Sequence, residues 1–180
     1  MALRTVYQTL EFRNNNDQVL EHGPYDCNKS NAWLHSGFYF WEEFIEPAHH
    51  WGKTYNKKSY IITIGECVIT EEELFDLVGN PKHLRMFRET IEYLNDLGLV
   101  NEETTVAHII DYLMKEEVFD FIATRANTTE SFRRYNLLSL KFAINYDIEL
   151  NLNPAIQICI YDLEKSCFGN FKIVYDSSQP

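Results

Sequence analysis

The stretch Gly37-Phe38-Tyr39-Phe40-Trp41 decides the fold, because a run so rich in aromatic residues is suited to a β-strand. Side chains alternate across a strand, so Phe38 and Phe40 facing the core would place Tyr39 on the opposite side. Residues 59–64 form the next strong strand, since β-branched and aromatic residues dominate them. We therefore expect one strand at residues 37–41 and a second strand at residues 59–64.

The segments beside these strands predict one further strand and one helix. Residues 14–17 are polar and give a turn signal, and residues 18–22 after them predict a short strand that ends at His22. From residue 42 to residue 51 the apolar positions recur at spacings of three and four, which is typical of a helix. Gly52 is the expected stop of that helix. The spaced apolar positions are Phe44, Ile45, Ala48 and Trp51.

The middle of the chain changes to a helical period. Thr70 and Glu73 have the form of a capping box, which predicts a helix from Thr70 to near Gly79. A second helix restarts at Pro81 and ends at Gly98, and a third begins at about Thr105. The second has an apolar stripe of Leu84, Phe87, Ile91, Leu94 and Leu97, and the third has one of Val106, Ile109, Ile110, Leu113, Val118 and Ile122.

The last third of the chain returns to strand-like patterns. Residues 123–134 are predicted to be a loop or a frayed helix end, and they carry Arg125, Arg133 and Arg134. Strands are expected at residues 143–150, 156–161 and 170–175. No internal repeat or linker is evident. The sequence therefore predicts a single α+β domain over residues 1–180, with a helical insertion at about residues 70–123.

Composition and charge narrow the class of protein. The chain has 180 residues, is 45% hydrophobic and has a formal net charge of −11. Length and apolar content predict one domain with one core, and the net charge disfavours binding to nucleic acid or anionic lipid through bulk charge. No apolar run approaches the roughly 18 to 20 residues that span a bilayer, and residues 1–5 lack the apolar core of a signal peptide. We therefore expect a cytoplasmic protein that does not contact a membrane.

Several common sites are not encoded. The four cysteines form no C-x-x-C pair, and Cys67 and Cys159 lie in apolar strand-like runs, which predicts reduced thiols. The six histidines show no metal-ligand spacing, so we expect no metal site. The P-loop, the dinucleotide-binding glycine motif and the hydrolase nucleophile elbow are missing.

A different set of residues resembles a known family. His22-Gly23 at the end of the predicted strand is followed by Gly37-Phe38-Tyr39-Phe40, by Ala48 nine residues after Tyr39, and by Gln157, which opens a late strand. This order resembles the NAD-dependent ADP-ribosyltransferases of the diphtheria toxin and poly(ADP-ribose) polymerase type, and most closely their small bacterial toxin-like members. The resemblance implies an α+β fold with split antiparallel β-sheets around an NAD cleft.

The resemblance also implies roles for these residues. His22 and Gly23 would hold the cofactor, since an imidazole can bond a ribose hydroxyl and a glycine leaves its backbone open to the nicotinamide amide. Tyr39 would stack on the nicotinamide ring. The family's second ring falls on His50, and the neighbouring Trp51 could supply the ring instead.

The family's third position is a carboxylate or an amide, and here it is Gln157. An amide keeps a hydrogen bond to the ribose but lacks the charge that stabilises an oxocarbenium-like state. With His22, Tyr39 and Gln157 as the catalytic set, the chain is expected to transfer a single ADP-ribose from NAD to a protein or nucleic-acid acceptor. Arg125 and Arg133 could contact the NAD diphosphate or the acceptor, although an exposed loop explains them equally well.

Two other readings stay open. The chain could be a catalytically inactive interaction protein on the same fold, or an NAD glycohydrolase that uses water as its acceptor. If it is a toxin, the resemblance implies an antitoxin or immunity protein as a partner.

Overall fold

The computed structural model describes residues 2–55, 59–116, 118–127, 139–145 and 148–178, which form a mixed α and β fold with one large mixed sheet. The described strands are β1 (Ala2–Glu11), β2 (Phe38–Glu42), β3 (Tyr60–Ile69), β4 (Leu74–Asp76), β5 (Ala123–Asn127), β6 (Ser139–Lys141), β7 (Glu149–Asn151), β8 (Ile156–Ile160) and β9 (Gly169–Asp176). The described helices are α1 (Asn16–His22), α2 (Glu46–Tyr55), α3 (Pro81–Asp96) and α4 (Val106–Lys115).

Seven strands share one sheet in the order β4-β5-β8-β2-β1-β3-β9, and β6 and β7 form a separate two-stranded hairpin. Every neighbouring pair in the large sheet is antiparallel except β4 and β5, which are parallel. The strands that were expected in two antiparallel sheets are thus joined in one sheet.

Apolar side chains cover both faces of this sheet. On one face Phe40 of β2 packs with Ile158 of β8, and on the other face Trp41 packs with Ile62 of β3 and with α2. As predicted, Tyr39 packs on the face opposite Phe38 and Phe40. Through this alternation β2 contributes side chains to the core on both faces of the sheet.

The strands around residues 37–41 and 59–64 are confirmed as β2 and β3, and the late strands at 156–161 and 170–175 as β8 and β9. The sequence analysis did not predict β1, although Thr5, Val6, Tyr7 and Thr9 have strand-forming side chains. The prediction of a strand over residues 143–150 is wrong for most of its described length, because only Glu149 and Leu150 are in a strand.

One helix prediction and one further strand prediction are also wrong. Glu73 does accept hydrogen bonds from the amide and the hydroxyl of Thr70, as in a capping box. The chain then enters β4 rather than a helix, because Leu74 and Phe75 are buried in different core clusters on the two faces of the sheet. Residues 18–22, expected to be a strand, lie in α1.

The helices predicted to begin at Pro81 and at about Thr105 are confirmed as α3 and α4, with Thr105 as the N-cap of α4. Leu94 of α3 is buried as predicted, whereas Leu84 and Leu97 at the ends of its stripe are exposed. Helix α4 ends at Lys115, so Val118 lies beyond it and is exposed.

The burial of the cysteine side chains tests the prediction that Cys67 and Cys159 are reduced core thiols. Cys67 and Cys159 are buried as expected, and all four cysteines are free thiols. Burial raises the pKa of Cys67 to about 11.

Among the described residues, no helix is both long enough and apolar enough to cross a bilayer.

A buried ion-pair network ties four strands together on one face of the sheet. Glu42, at the end of β2, is only 2% exposed and bonds both Arg4 of β1 and Arg125 of β5. The distance from the Arg125 Nε to the Glu42 Oε2 is 2.5 Å. Arg125 also donates to both carboxylate oxygens of Asp76 in β4, each at 3.2 Å.

We expect Glu42→Gln to lower the free energy of unfolding by about 3 kcal/mol, because it leaves two partly buried guanidinium groups without their shared carboxylate. Urea unfolding measures this loss. Glu11→Gln, which removes an exposed ion pair with Arg13, is the control and should change stability little. Equal effects of the two substitutions would contradict a structural role for the network.

Asp76 should make the fold sensitive to acid. Burial alone raises the pKa of Asp76, but the amides of Gly79 and Val78 and the Arg125 guanidinium outweigh it, so the pKa lies below its usual 3.8. The stability that this carboxylate contributes is therefore present above pH 3.8 and is lost as the pH falls through the lower folded-state pKa.

We expect Asp76→Asn to be less stable than the wild type at neutral pH, with the difference shrinking as the pH falls below 3.8. Unfolding followed by circular dichroism over a pH series measures both curves. Asp96→Asn, at an exposed position at the end of α3, should leave the curve unchanged. A constant difference at every pH would show that the charge of Asp76 is not the cause.

Candidate functional site

A cavity of about 390 Å³ opens where β1 and β2 separate. The two strands pair only at Val6↔Glu42 and Tyr7↔Trp41, whereas β1 pairs with β3 along its whole length. Beyond these two pairs the strands diverge, and the segment before β2 fills part of the gap. The described lining residues are Gln8, Thr9, Leu10, Tyr25, Asp26, Cys27, Asn28, Lys29, Asn31, Ala32, Trp33, Tyr39, Trp41, Trp51 and Gln157.

More than half of these residues belong to one wall, residues 25–33, which precedes β2. The wall is attached to β2 at its far end by the side chain of Tyr39. The Tyr39 hydroxyl accepts a hydrogen bond from the Leu34 amide at 2.7 Å and donates one to the His35 carbonyl at 2.6 Å. Burial raises the pKa of Tyr39 far above its ordinary value, so this hydroxyl stays protonated and keeps both bonds.

The side chain of Gln8 attaches the near end of the wall. Its amide nitrogen donates to the carbonyls of Tyr25 at 2.7 Å and Tyr39 at 3.3 Å, and its oxygen accepts from the Tyr25 amide at 3.0 Å. Gln8 is 6% exposed. One buried carboxamide thus replaces the β1–β2 ladder at the point where the ladder stops.

Gln157 brings a polar group to the same cavity from β8. It lies opposite Trp41 of β2 in the strand register, so the two side chains are on one face of the sheet. Gln157 is 7% exposed, and its Oε1 is buried with no hydrogen-bond partner in the described part of the chain. A buried acceptor without a partner costs free energy, so this atom is suited to receive a donor from a ligand.

Aromatic rings form much of the remaining lining. The ring centroid of Trp51 is 5.4 Å from that of Trp33 in an edge-on arrangement and 6.1 Å from that of Trp41. Trp33 is 38% exposed, so this cluster reaches the surface. Ligand pockets are typically lined by apolar and aromatic side chains, with a few polar groups that fix the orientation of the ligand.

Helix α2 positions Trp51 through two close contacts with the sheet. Thr9 of β1 donates from its hydroxyl to the Ala48 carbonyl at 2.8 Å. Gly52 lies against the ring of Tyr60, and an added Cβ would be 2.3 Å from that ring. The prediction that Gly52 ends the helix is therefore wrong: the helix runs on to Tyr55, and the missing side chain allows close packing.

The structure brings three of the sequence-predicted site residues together. Tyr39, Trp51 and Gln157 all line the cavity, whereas His22, Gly23 and His50 do not. His22 is the last residue of α1, and its side chain is 62% exposed, so its expected place at the end of a strand is wrong. Gly23 instead packs against Phe171, where a Cβ would be 2.5 Å from the ring.

His50 and Arg125 have other surroundings. His50 is half-buried in α2, and burial, followed by the nearby Lys53, lowers its pKa. Arg125 lies in β5 rather than in a loop, does not line the cavity and is bonded to Glu42 and Asp76. Arg133 and Arg134 are outside the described residues.

Sequence reasoning missed Gln8 and the wall at residues 25–33. The strand-forming residues around Gln8 were a usable signal for β1, and they would have placed a buried amide on a strand. No periodicity marks residues 25–33 as a cavity wall, since an irregular segment is placed by tertiary contacts. Among the described residues the wall contributes one acid, Asp26, and one base, Lys29, and no cluster of metal ligands was found.

Comparison of the chain with protein-family models, with curated proteins and with solved structures finds no match.

We expect Gly52→Ala to destabilise the protein by about 1 to 3 kcal/mol, because the new methyl group overlaps the Tyr60 ring. The sign is diagnostic, since alanine normally stabilises a helix interior relative to glycine by about 1 kcal/mol. Thermal unfolding measures the change. Gly169→Ala is the matched control, because nothing lies within 4 Å of its added Cβ. A Gly52→Ala protein more stable than the wild type would contradict the contact.

Proposed function

We propose that the chain is an NAD-dependent mono-ADP-ribosyltransferase and that the cavity between β1 and β2 is its NAD site. The observation that carries this proposal is the buried Oε1 of Gln157, which has no described partner and lies among the aromatic rings of the cavity. The divergence of β1 and β2 gives this cavity its opening, although it lies within one sheet and not between the two sheets that the sequence resemblance implies.

The Gln157 amide oxygen fits a ribose hydroxyl. A hydroxyl donates one hydrogen bond, and the Oε1 atom can accept one that the described residues do not supply. Ligand binding would then relieve the cost of the buried, unpaired acceptor. The ribose next to the nicotinamide would lie beside β8.

The rings of Tyr39 and Trp51 would hold the nicotinamide. Both line the cavity, and Tyr39 is held by two hydrogen bonds through its hydroxyl, so its ring is fixed. The nicotinamide ring of NAD carries a positive charge, and aromatic faces attract cations.

The reaction breaks the bond between the ribose carbon and the nicotinamide nitrogen. Both bonding electrons leave with nicotinamide, which becomes neutral, and the ribose becomes oxocarbenium-like. An acceptor nucleophile then bonds this carbon and loses its proton. Because Gln157 is neutral, it stabilises the cation through hydrogen bonding and dipole alone, which supports slow, single transfer rather than polymer synthesis.

A non-catalytic NAD-binding or interaction protein is the second candidate. It is favoured by the neutral amide at Gln157 and by the position of His22 outside the cavity. NAD glycohydrolysis differs only in its acceptor, since water would trap the same cation. The macromolecular acceptor, a toxin role and an antitoxin partner remain proposals that follow from the sequence resemblance alone.

The experiment measures NAD binding, nicotinamide release and transfer of labelled ADP-ribose to a cell lysate. We expect Gln157→Met to weaken NAD binding by at least about tenfold, because it removes the proposed hydrogen bond. The same substitution should leave the melting temperature unchanged or raise it, since it also removes a buried unpaired acceptor. Gln157→Glu should increase nicotinamide release by about tenfold or more, because it places a negative charge near the developing cation.

Two controls separate the site from the rest of the chain. Gln18→Met makes the same change at an exposed position in α1, and His22→Ala removes the imidazole that lies outside the cavity. Both should bind NAD like the wild type. NAD binding without nicotinamide release in the wild type and in Gln157→Glu would favour the non-catalytic candidate, and no binding at all would overturn the proposal.

A further inference from the structure

We propose that Gln8 is the positioning residue of the cavity: its carboxamide holds the wall of residues 25–33 at a fixed distance from β2. As a statement about ligand binding this rests on the proposed NAD site, but the attachment of the wall can be tested without NAD. Gln8 would act through the wall and through Tyr39 rather than through contact with the reacting atoms.

Gln8 lies where the sheet loses its backbone pairing between β1 and β2. The β1–β2 register ends at Tyr7↔Trp41, one residue before Gln8. Beyond Tyr7, the backbone of β1 on the side that faces β2 pairs with no residue of β2. The Gln8 side chain reaches across the gap and bonds the Tyr39 carbonyl of β2 at 3.3 Å.

The three backbone groups around the Gln8 side chain match a carboxamide. The Tyr25 and Tyr39 carbonyls both need a donor, and the Tyr25 amide needs an acceptor. Glutamine supplies two N–H donors and one oxygen, which matches these three groups. A carboxylate would turn its charge toward two carbonyl oxygens, and an apolar side chain would offer none of the three groups a hydrogen bond.

The wall is fixed at both ends, and Gln8 fixes the end at Tyr25 together with the backbone pairing of Cys27 with Gly37. At the far end the Tyr39 hydroxyl bonds the backbones of Leu34 and His35. Between these two places lie most of the lining residues of the cavity, including Trp33. Removing the Gln8 attachment loosens the end at Tyr25, which the Cys27–Gly37 pairing then still holds, and leaves the far end in place.

The consequence is a specific pattern of effects. Loss of Gln8 should weaken ligand binding because the wall no longer faces β2 and β8 in one arrangement. It should leave the rate of the bound ligand's reaction nearly unchanged, because Gln157 and the Tyr39 ring stay on their strands. A rise in Kd or KM with a nearly constant kcat separates this positioning role from a catalytic one.

The test uses the full chain with Cys167→Ser, which removes the exposed thiol. Cys27 is half-buried in the wall, whereas Cys67 and Cys159 are fully buried, so a maleimide reports on Cys27. We expect Gln8→Met to increase the rate of Cys27 labelling by about tenfold and to raise the Kd for NAD by about tenfold.

Thr63→Val is the matched control. The Thr63 hydroxyl is also buried and donates to the Gln8 backbone carbonyl at 3.3 Å, but it does not touch the wall. It should lower stability without changing Cys27 labelling or NAD affinity. If Gln8→Met does not fold, Gln8→Glu, which keeps the size of the side chain and loses the N–H donors, gives the same comparison.

Each outcome decides the question. Faster Cys27 labelling in the Gln8 variants, and not in Thr63→Val, supports the positioning role even if no form of the protein binds NAD, and in that case only the proposed function fails. Labelling equal to that of the wild type, or equal changes in the Gln8 and Thr63 variants, overturns the role. A large fall in kcat at unchanged KM would also overturn it, because Gln8 would then act on the reaction itself.

Discussion

The buried carboxylate of Glu42 is the constraint on which the rest of the sheet depends. It lies at the end of β2 and accepts hydrogen bonds from Arg4 of β1 and Arg125 of β5. β8 lies between β2 and β5 in the sheet, so this contact spans a full strand. A charge this deeply buried is tolerated only where partners surround it, and each arginine comes from a different strand. The contact therefore ties β1, β2 and β5 together at this end of β2, with β8 between β2 and β5.

Fixing one end of the β1–β2 pair allows the other end to open. Val6↔Glu42 and Tyr7↔Trp41 are the pairs nearest the ion-pair network, and the strands diverge immediately after them. A split in a sheet exposes backbone groups that need partners. The Gln8 carboxamide and the wall of residues 25–33 supply these partners and leave a cavity between them. The ion-pair network and the cavity are thus two ends of the same pair of strands.

Most of the sheet could be predicted from the sequence, because its central strands are made of β-branched and aromatic residues. Thr5, Val6 and Tyr7 of β1 have the same strand-forming side chains, so this strand is also predictable from the sequence. The starts of helices are harder to predict from local patterns. Thr70 and Glu73 make the local hydrogen bonds of a capping box, yet Leu74 and Phe75 lie in the sheet because their side chains are buried on its two faces. Local capping contributes about 1 kcal/mol, and burying two large apolar side chains contributes several times more.

The candidate site was only partly predictable for the same reason. Tyr39 and Gln157 lie on strands whose alternation fixes which face a side chain occupies, and the two strands pair directly. Trp51 lies on a helix with a clear apolar period. The polar run before His22 predicts a turn followed by a strand. Residues 16–22 instead form a helix whose only buried residue is Val19. A short motif such as His-Gly carries no information on which element bears it, and Gln8 on β1 lay outside every motif.

Gln157 connects the stability of this chain to its proposed chemistry. A buried acceptor without a partner costs about 1 to 3 kcal/mol, which is a substantial fraction of a typical folding free energy of about 5 to 15 kcal/mol. A methionine at this position would fill a similar volume without that cost. Sequences agree with their folds at most positions, and a locally unfavourable group is expected where a ligand completes its bonding. The unpaired atom lies in the opening between two strands that are tied together elsewhere, beside rings that are already fixed, so a ligand could bind there without reorganising the sheet.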